Sequence, residues 1–485
     1  MGERVRTFHA SGGRCLTPLR CAGGSLIARA TLHPPATRGV ARGRRVPIFI
    51  ITFSRKRSHH IRPRHQRTQR RMTPSALTAS AGLRRASSAL ATAPTHATSR
   101  RAAMRSERAV QTRASASGLG DDTLKSARLI YASSPAMEHM REGHPESNLR
   151  VPAILDALAD ANLTPTARAG ELVHLESFTP ATRDQVMEVH SKNYVGGLAL
   201  LAKTRAPMDV TGDTYITQAS YDAALNGCGA AIALVDAVCD ASEARGPSGE
   251  SAPAAFGLCR PPGHHATPKA AMGFCLFGTV SAAARHAQKA RGMAKVMIFD
   301  FDVHHGNGTN DIFREDPSVL FVSTHESGSF PGTGKMSDAG DGDGEGATIN
   351  VPLPPGSGDA AALAAFDEIV APAAARFNPD IILVSAGYDA HWRDPLAGLS
   401  FRTGTYHRLS ARLRELSTEL CGGRVVFLLE GGYDLVGLGE GVADSFRALL
   451  GDASGEDPGG IPGLTEEPTD KVRAVLTEAK AMHQL

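Results

Sequence analysis

From residue 127 onward, short apolar runs alternate with longer stretches whose apolar residues recur every three or four positions. The short runs fall at 128–131, 171–174, 256–259, 296–301, 319–323, 381–385 and 425–429. Helical periodicity occupies 151–161, 220–239, 279–291, 358–375 and 403–420, among others. Near-continuous Val/Ile/Leu/Phe runs are the mark of strands covered on both faces. Strands separated by helices imply a parallel sheet between two helical layers. Residues 241–253, rich in Gly, Ser, Pro and Glu, and 337–346, acidic and Gly-rich, read as surface loops. The predicted class is α/β: a single large domain over 121–485 with a central parallel sheet flanked by helices, its motif-bearing core at about 127–450. No repeat of fixed period interrupts this pattern.

Charge separates the remainder of the chain from that domain. Residues 1–115 hold 24 of the 53 Lys and Arg but only two of the 49 Asp and Glu. That segment therefore carries +22 and the rest −18, so the net +4 is an average of two unlike parts. The folded part is acidic, and no direct nucleic-acid contact is expected of it. The first 120 residues, rich in Arg, Ser, Thr and Ala, read as a disordered, transit-peptide-like segment leading to a chloroplast or mitochondrion. A basic arm touching an anionic surface is the alternative, with the protein in cytoplasm or nucleus. The apolar stretch 46–53 is too short to cross a bilayer, and no membrane association is expected. The seven cysteines include no CxxC pair, which argues against a disulfide framework and against a cysteine-based zinc site.

Candidate chemistry lies just past the strand ends, where α/β sheets carry their ligand sites. Residues 296–301 run into Asp302-Val-His304-His305-Gly-Asn307. Asp300, Asp302 and His304 alternate with Phe301 and Val303, so the polar three share a face. The run at 256–259 ends in Arg260-Pro-Pro-Gly-His264-His265, that at 381–385 in Ala-Gly-Tyr-Asp389, and that at 425–429 in Glu430-Gly-Gly-Tyr433. Asp302, His304 and Asp389 make a three-ligand O/N set suited to zinc, with a coordination position left open for catalysis. The adjacent imidazoles of His264 and His265 can serve as an acid/base unit, given orienting partners on their far nitrogens; Asp300 and Asn307 are the candidates. Tyr433, after two glycines, can donate to a developing oxyanion. Each residue alone has a plainer reading as a turn former, a helix cap or a core tyrosine; four strand ends together do not.

These motifs occur in the order, and with the residues, of a known family. His-His after Arg-Pro-Pro-Gly, Asp-Val-His-His-Gly-Asn-Gly-Thr, Phe-Pro-Gly-Thr-Gly at 330–334, Ser-Ala-Gly-Tyr-Asp-Ala and Glu-Gly-Gly-Tyr-Asp resemble the zinc-dependent histone deacetylase superfamily. The likeness is strongest to its class II branch and to the bacterial histone deacetylase-like amidohydrolases. Gly143-His144-Pro-Glu-Ser147 with Arg150, and Asp213-Thr-Tyr215, resemble its N-terminal signatures. The resemblance implies an arginase/deacetylase-like fold, one catalytic zinc on Asp302, His304 and Asp389, and His265 as general base and acid. It makes His264 the companion histidine held by Asp300, Asn307 the partner of His265 and Tyr433 the catalytic tyrosine. Gly273, Phe274 and Phe330 match the lining of an acyl-lysine channel, and Leu396 its rim. A potassium ion on backbone carbonyls of Asp300, Asp302, His304, Ser323 and Thr324 is a further family trait.

Some positions depart from the pattern. Asn307 replaces the aspartate of class I members and should polarise His265 less. Gly278-Thr279 stands where Asn-Asn or Asn-Thr is common, and Ser329 where an aromatic residue is frequent, which should widen the channel mouth. The expected activity is hydrolysis of acetyl-lysine in proteins. The alternative is deacetylation of small amines such as acetylpolyamines or arylalkylamines, which Leu396 disfavours because a polyamine deacetylase carries a glutamate there. A binuclear manganese ureohydrolase would need further paired Asp/His ligands, and an idle scaffold would not need every reactive position. The physiological substrate, the oligomeric state and the processing site leave no signal in the sequence.

Overall fold

The computed structural model describes residues 116–246, 250–456 and 466–485. The transit-like reading of residues 1–115, with Cys15 and Cys21, lies outside the described residues. Among the described residues ten strands form: β1 (Leu129–Ser134), β2 (Leu172–His174), β3 (Met208–Asp209), β4 (Tyr215–Ile216), β5 (Ala254–Cys259), β6 (Val296–Asp300), β7 (Val319–Glu326), β8 (Thr348–Leu353), β9 (Ile381–Ala386) and β10 (Val425–Leu429). Eight make one parallel sheet in the order β2-β1-β5-β10-β9-β6-β7-β8, and β3 and β4 form a small antiparallel hairpin.

Period-two alternation distributes each strand between two cores. Met297 and Phe299 of β6, Ile382 and Val384 of β9, and Val425 and Phe427 of β10 face one layer. Val296 and Ile298, Ile381 and Leu383, and Val426 and Leu428 face the other. Helices Arg150–Asp160, Thr403–Cys421 and Leu435–Leu450 cover the first side, and Ser220–Arg245 and Thr279–Arg291 the second. Each large side chain buried in these layers contributes about 1.5–3 kcal/mol, which explains runs with no polar positions.

The structure corrects several boundaries. Strand β8 was not expected: Thr-Ile-Asn-Val-Pro-Leu is interrupted by Asn350 and Pro352, and the proline is tolerated because β8 pairs on one side only, with β7. The expected helix at 358–375 is Asp359–Ala365, then a π-helical turn over Phe366–Val370, then Ala371–Phe377. The helix expected at 220–239 continues to Arg245, so the loop read from residue 241 starts at Gly246. This helix is also long and apolar enough to cross a bilayer, but 72% of its most apolar stretch is buried, and it packs on the helix Thr279–Arg291 and on β1, β5 and β10. It is a core helix. Cys228, Cys239, Cys259, Cys275 and Cys421 are all free and buried.

Candidate active site

The strands that end in reactive residues are scattered along the chain but adjacent in space. β5, β10, β9 and β6 lie side by side in the middle of the sheet, with all four carboxyl ends on one edge. The later pair, β9 and β10, inserts between the two earlier ones. This crossover converts four sequence-distant loops into one cluster.

Phe301 and Val303 enter the core while Asp300, Asp302 and His304 turn toward the cluster. The Nδ1 atom of His304 is 3.2 Å from Oδ1 of Asp302 and 3.1 Å from Oδ2 of Asp389. Both carboxylates are buried, and their second oxygens are anchored by backbone amides. Gly431 N–H donates to Oδ2 of Asp302 at 2.8 Å, and Val303 N–H to Oδ1 of Asp389 at 3.0 Å. That leaves one oxygen from each acid converging on one imidazole nitrogen, with the three candidate ligand atoms within 4.8 Å of one another. Burial and the neighbouring Asp302 push the Asp389 carboxyl up to about 7. Two facing buried carboxylates are costly without a cation, so the donor set fits a divalent metal. Gly431 is obligatory here: a Cβ at that position would stand 2.0 Å from Oδ2 of Asp389.

The paired histidines sit beside this set with ring centroids 4.0 Å apart. Nδ1 of His264 is 3.0 Å from Oδ2 of Asp300, and Nδ1 of His265 is 2.8 Å from Oδ1 of Asn307. Both partner oxygens accept, so each Nδ1 carries its proton and each Nε2 is left for chemistry. The two rings are driven apart in basicity. Burial lowers His264, but Asp302, Asp300 and Glu430 outweigh it and raise it to about 10. His265 is held well below the ordinary imidazole value by burial and by the charges on His264 and His304.

Gly273 and Phe274 form a turn against His265. Both have left-handed backbone, with φ +54 and +68, and a Cβ on Gly273 would meet Cδ2 of His265 at 2.2 Å. Their amides donate to Oδ2 of Asp213 at 3.3 Å and to Oγ1 of Thr214 at 3.0 Å, which explains the presence of that signature on the β3–β4 hairpin. The Phe330 ring stands edge-on to His265 at 5.0 Å and the Phe274 ring edge-on to Tyr433 at 5.6 Å. Leu396 is 40% exposed on the loop that follows Asp389. Burial, with Asp389 and Asp302 nearby, keeps the Tyr433 phenol protonated far above its ordinary range. Ser323 pairs in register with Asp300 on the neighbouring strand, and Thr324 follows it.

Four supporting residues had no role assigned from sequence. Glu430 accepts from Gly263 N–H (2.6 Å), His264 N–H (3.0 Å) and the Ser385 hydroxyl (3.1 Å), fixing the histidine loop. Asp394 accepts from Tyr433 N–H at 2.7 Å and from Leu396 N–H at 2.9 Å, joining the two loops. Arg150 donates to the carbonyls of Glu430 (2.6 Å) and Gly432 (2.7 Å) and lies 5.0 Å from the Tyr433 ring centroid. Glu146 bridges Arg150 and Arg260 in a fully buried ion network. Glu146, Arg150 and Glu430 lie within the quoted motifs but carried no role there, and Asp394 lies in none of them.

Arg260 also donates to the carbonyls of Pro135, Ala136, His139 and Glu146. Arg260→Met should destabilise the fold by about 3–5 kcal/mol, because it strands a buried charge and several carbonyls. Urea denaturation measures this, and a loss below about 1 kcal/mol would mean that water replaces the guanidinium.

The histone deacetylase domain model matches residues 144–449, which span this whole constellation. The chain belongs to the histone deacetylase family. It is 52% identical over 377 residues to histone deacetylase 10, chloroplastic, of Oryza sativa subsp. japonica, covering 76% of this chain and 83% of that protein. It is 51% identical to histone deacetylase 14, chloroplastic, of Arabidopsis thaliana, covering 75% and 86%. The histone deacetylase-like amidohydrolase of Pseudomonas aeruginosa is 35% identical, covering 67% and 78%. The crystal structure of the HDA15 HD domain superposes with a TM-score of 0.63 at 30% identity, over 74% of this chain and 94% of that one. This member of the family is therefore a deacetylase hydrolase with the family's parallel-sheet fold, and the family's chemistry is zinc-dependent.

Proposed function

We propose that this chain removes acetyl groups from acetyl-lysine side chains in proteins, using one zinc ion held by Asp302, His304 and Asp389. The observation that carries the reading is the convergence of one oxygen from each buried acid on Nδ1 of His304, beside two imidazoles of opposite basicity. The metal supplies Lewis acidity toward the acyl carbonyl and the attacking water.

The protein side chains supply the proton traffic. His265, neutral and with Nδ1–H committed to Asn307, takes the water proton on Nε2. A proton there is disfavoured by the positive His264 ring 4.0 Å away, which favours its onward transfer to the leaving lysine nitrogen. Asp300 holds His264 in the cationic form. Tyr433 donates its hydroxyl to the carbonyl oxygen as charge develops. Gly273, Phe274 and Phe330 confine the aliphatic lysine stem, and Leu396 offers no charge to attract a polyamine.

A second cluster that could hold a metal, His264, Cys275 and Glu430, has its donors engaged elsewhere. Glu430 binds two backbone amides, Cys275 Sγ donates to Gly273 O at 3.3 Å, and His264 binds Asp300. This favours a mononuclear centre. A potassium ion on the main-chain carbonyls of Asp300, Asp302, His304, Ser323 and Thr324 belongs to the same proposal, supported by the register that brings those two segments together.

Chelation should abolish hydrolysis of an acetyl-lysine peptide, and one equivalent of zinc per chain should restore it; restoration only by two manganese ions would overturn the reading. The proposal also assigns the protein to the chloroplast. The chloroplastic names of the two plant relatives and the acid-poor residues 1–115 support this. A full-length fluorescent fusion should accumulate in plastids and one lacking residues 1–115 should not.

A further inference from the structure

His305 directly follows a proposed metal ligand, is buried, and takes no part in the chemistry above. Its surroundings give it work. Nδ1 of His305 is 2.8 Å from the Thr333 hydroxyl, and the His305 ring is 4.8 Å from that of His325 on β7. Nε2 of His325 is 2.8 Å from the carbonyl oxygen of Gly334, and Nδ1 is 2.9 Å from the Ser323 hydroxyl. A carbonyl only accepts, so His325 carries its proton on Nε2 and accepts from Ser323 on Nδ1. This is the neutral form, and burial holds His325 down to about 4. The loop lies flat on both rings: a Cβ at Gly334, where φ is +77, would be 2.4 Å from Nε2 of His325 and 2.6 Å from Cγ of His305.

That loop carries Phe330. Besides the turn bond from Gly332 N–H to Ser329 O at 2.8 Å, these two imidazole bonds are what fasten 330–334 among the described residues. We propose that His305 and His325 are positioning residues, a pair of imidazole pegs that set the Phe330 wall of the acyl channel against His265 and so tune acyl-chain length and KM. The inference rests on the deacetylase reading for its kinetic consequence but not for its structural one. His305 ties the wall to the segment bearing His304, so the wall keeps a fixed spacing from that proposed ligand.

The test compares Thr333→Val and His325→Gln with the wild-type protein. Thr333 is exposed, so its variant should keep the fold; glutamine can still donate to Gly334 O and serves as the conservative replacement. Losing one such hydrogen bond should raise KM for an acetyl-lysine peptide about 3–10-fold. In T333V, kcat should stay within about twofold, zinc content should be unchanged, and preference for acetyl over butyryl peptide should relax. H325Q should fall between T333V and wild type. Amide hydrogen exchange over 330–334 should accelerate in T333V while the β6 and β9 amides keep their protection, and this readout holds whatever the substrate proves to be. Unchanged exchange in that segment, or a KM and chain-length preference equal to wild type, would overturn the proposal. Absence of turnover by the wild-type enzyme, with accelerated exchange in the variant, would instead count against the deacetylase reading alone.

Discussion

His304→Ala should retain no zinc after dialysis and show no measurable deacetylation. The imidazole is the nitrogen on which both acids converge, at 3.1 and 3.2 Å. Without it Asp302 and Asp389 face each other in a buried site with only two oxygens to offer, fewer than a mononuclear zinc centre uses. Zinc affinity should fall by more than the roughly 10–100-fold that follows loss of a group merely supporting a ligand. Asp389 already sits near 7 through burial and the field of Asp302, so the metal-free variant should neutralise one acid by taking up a proton. The fold itself should survive, because the sheet and both helical layers are untouched. Elemental analysis and peptide turnover on one preparation check this; zinc held at wild-type stoichiometry would show that His304 is not a ligand.

Tyr433→Phe should leave zinc bound and lower kcat by about 100- to 1,000-fold, the cost of removing one preorganised oxyanion donor. The ring should keep its place, since Arg150 lies over it, Phe274 stands edge-on to it and Asp394 holds its backbone amide. The change thus isolates the hydroxyl. KM should move far less than kcat, because the hydroxyl acts on charge that develops only in the transition state. A variant that turns over near the wild-type rate would remove Tyr433 from the mechanism and leave the metal as the principal source of oxyanion stabilisation.

Much of this architecture was readable in the sequence because the sheet is buried on both sides. Runs such as 296–299 and 425–429 have no polar interruptions, so their ends are sharp and the acids and imidazoles just beyond them stand out. The same logic misses strands lacking that character. β8 carries Asn350 and Pro352 at the sheet edge, and β3 and β4 are two residues each. Strand order was unreadable for a different reason: nothing local specifies that β9 and β10 insert between β5 and β6, although that insertion builds the site. Supporting groups were hidden too. Glu430 steadies the histidine loop and Asp394 steadies Tyr433 by accepting backbone amides brought near only by folding, and Glu146 acts by pairing with arginines from two elements. His305 carries no local sign of its contact with the loop that bears Phe330.

The acyl group removed is proposed to belong to a protein lysine. One competition assay tests it most directly: full-length zinc-loaded enzyme with equimolar acetyl-lysine peptide and N-acetylated polyamine, consumption of both followed in one vessel. The peptide should be consumed at least about tenfold faster, a margin of roughly 1.4 kcal/mol in transition-state binding. Faster consumption of the small amine would contradict the claim and make Leu396 part of a different specificity.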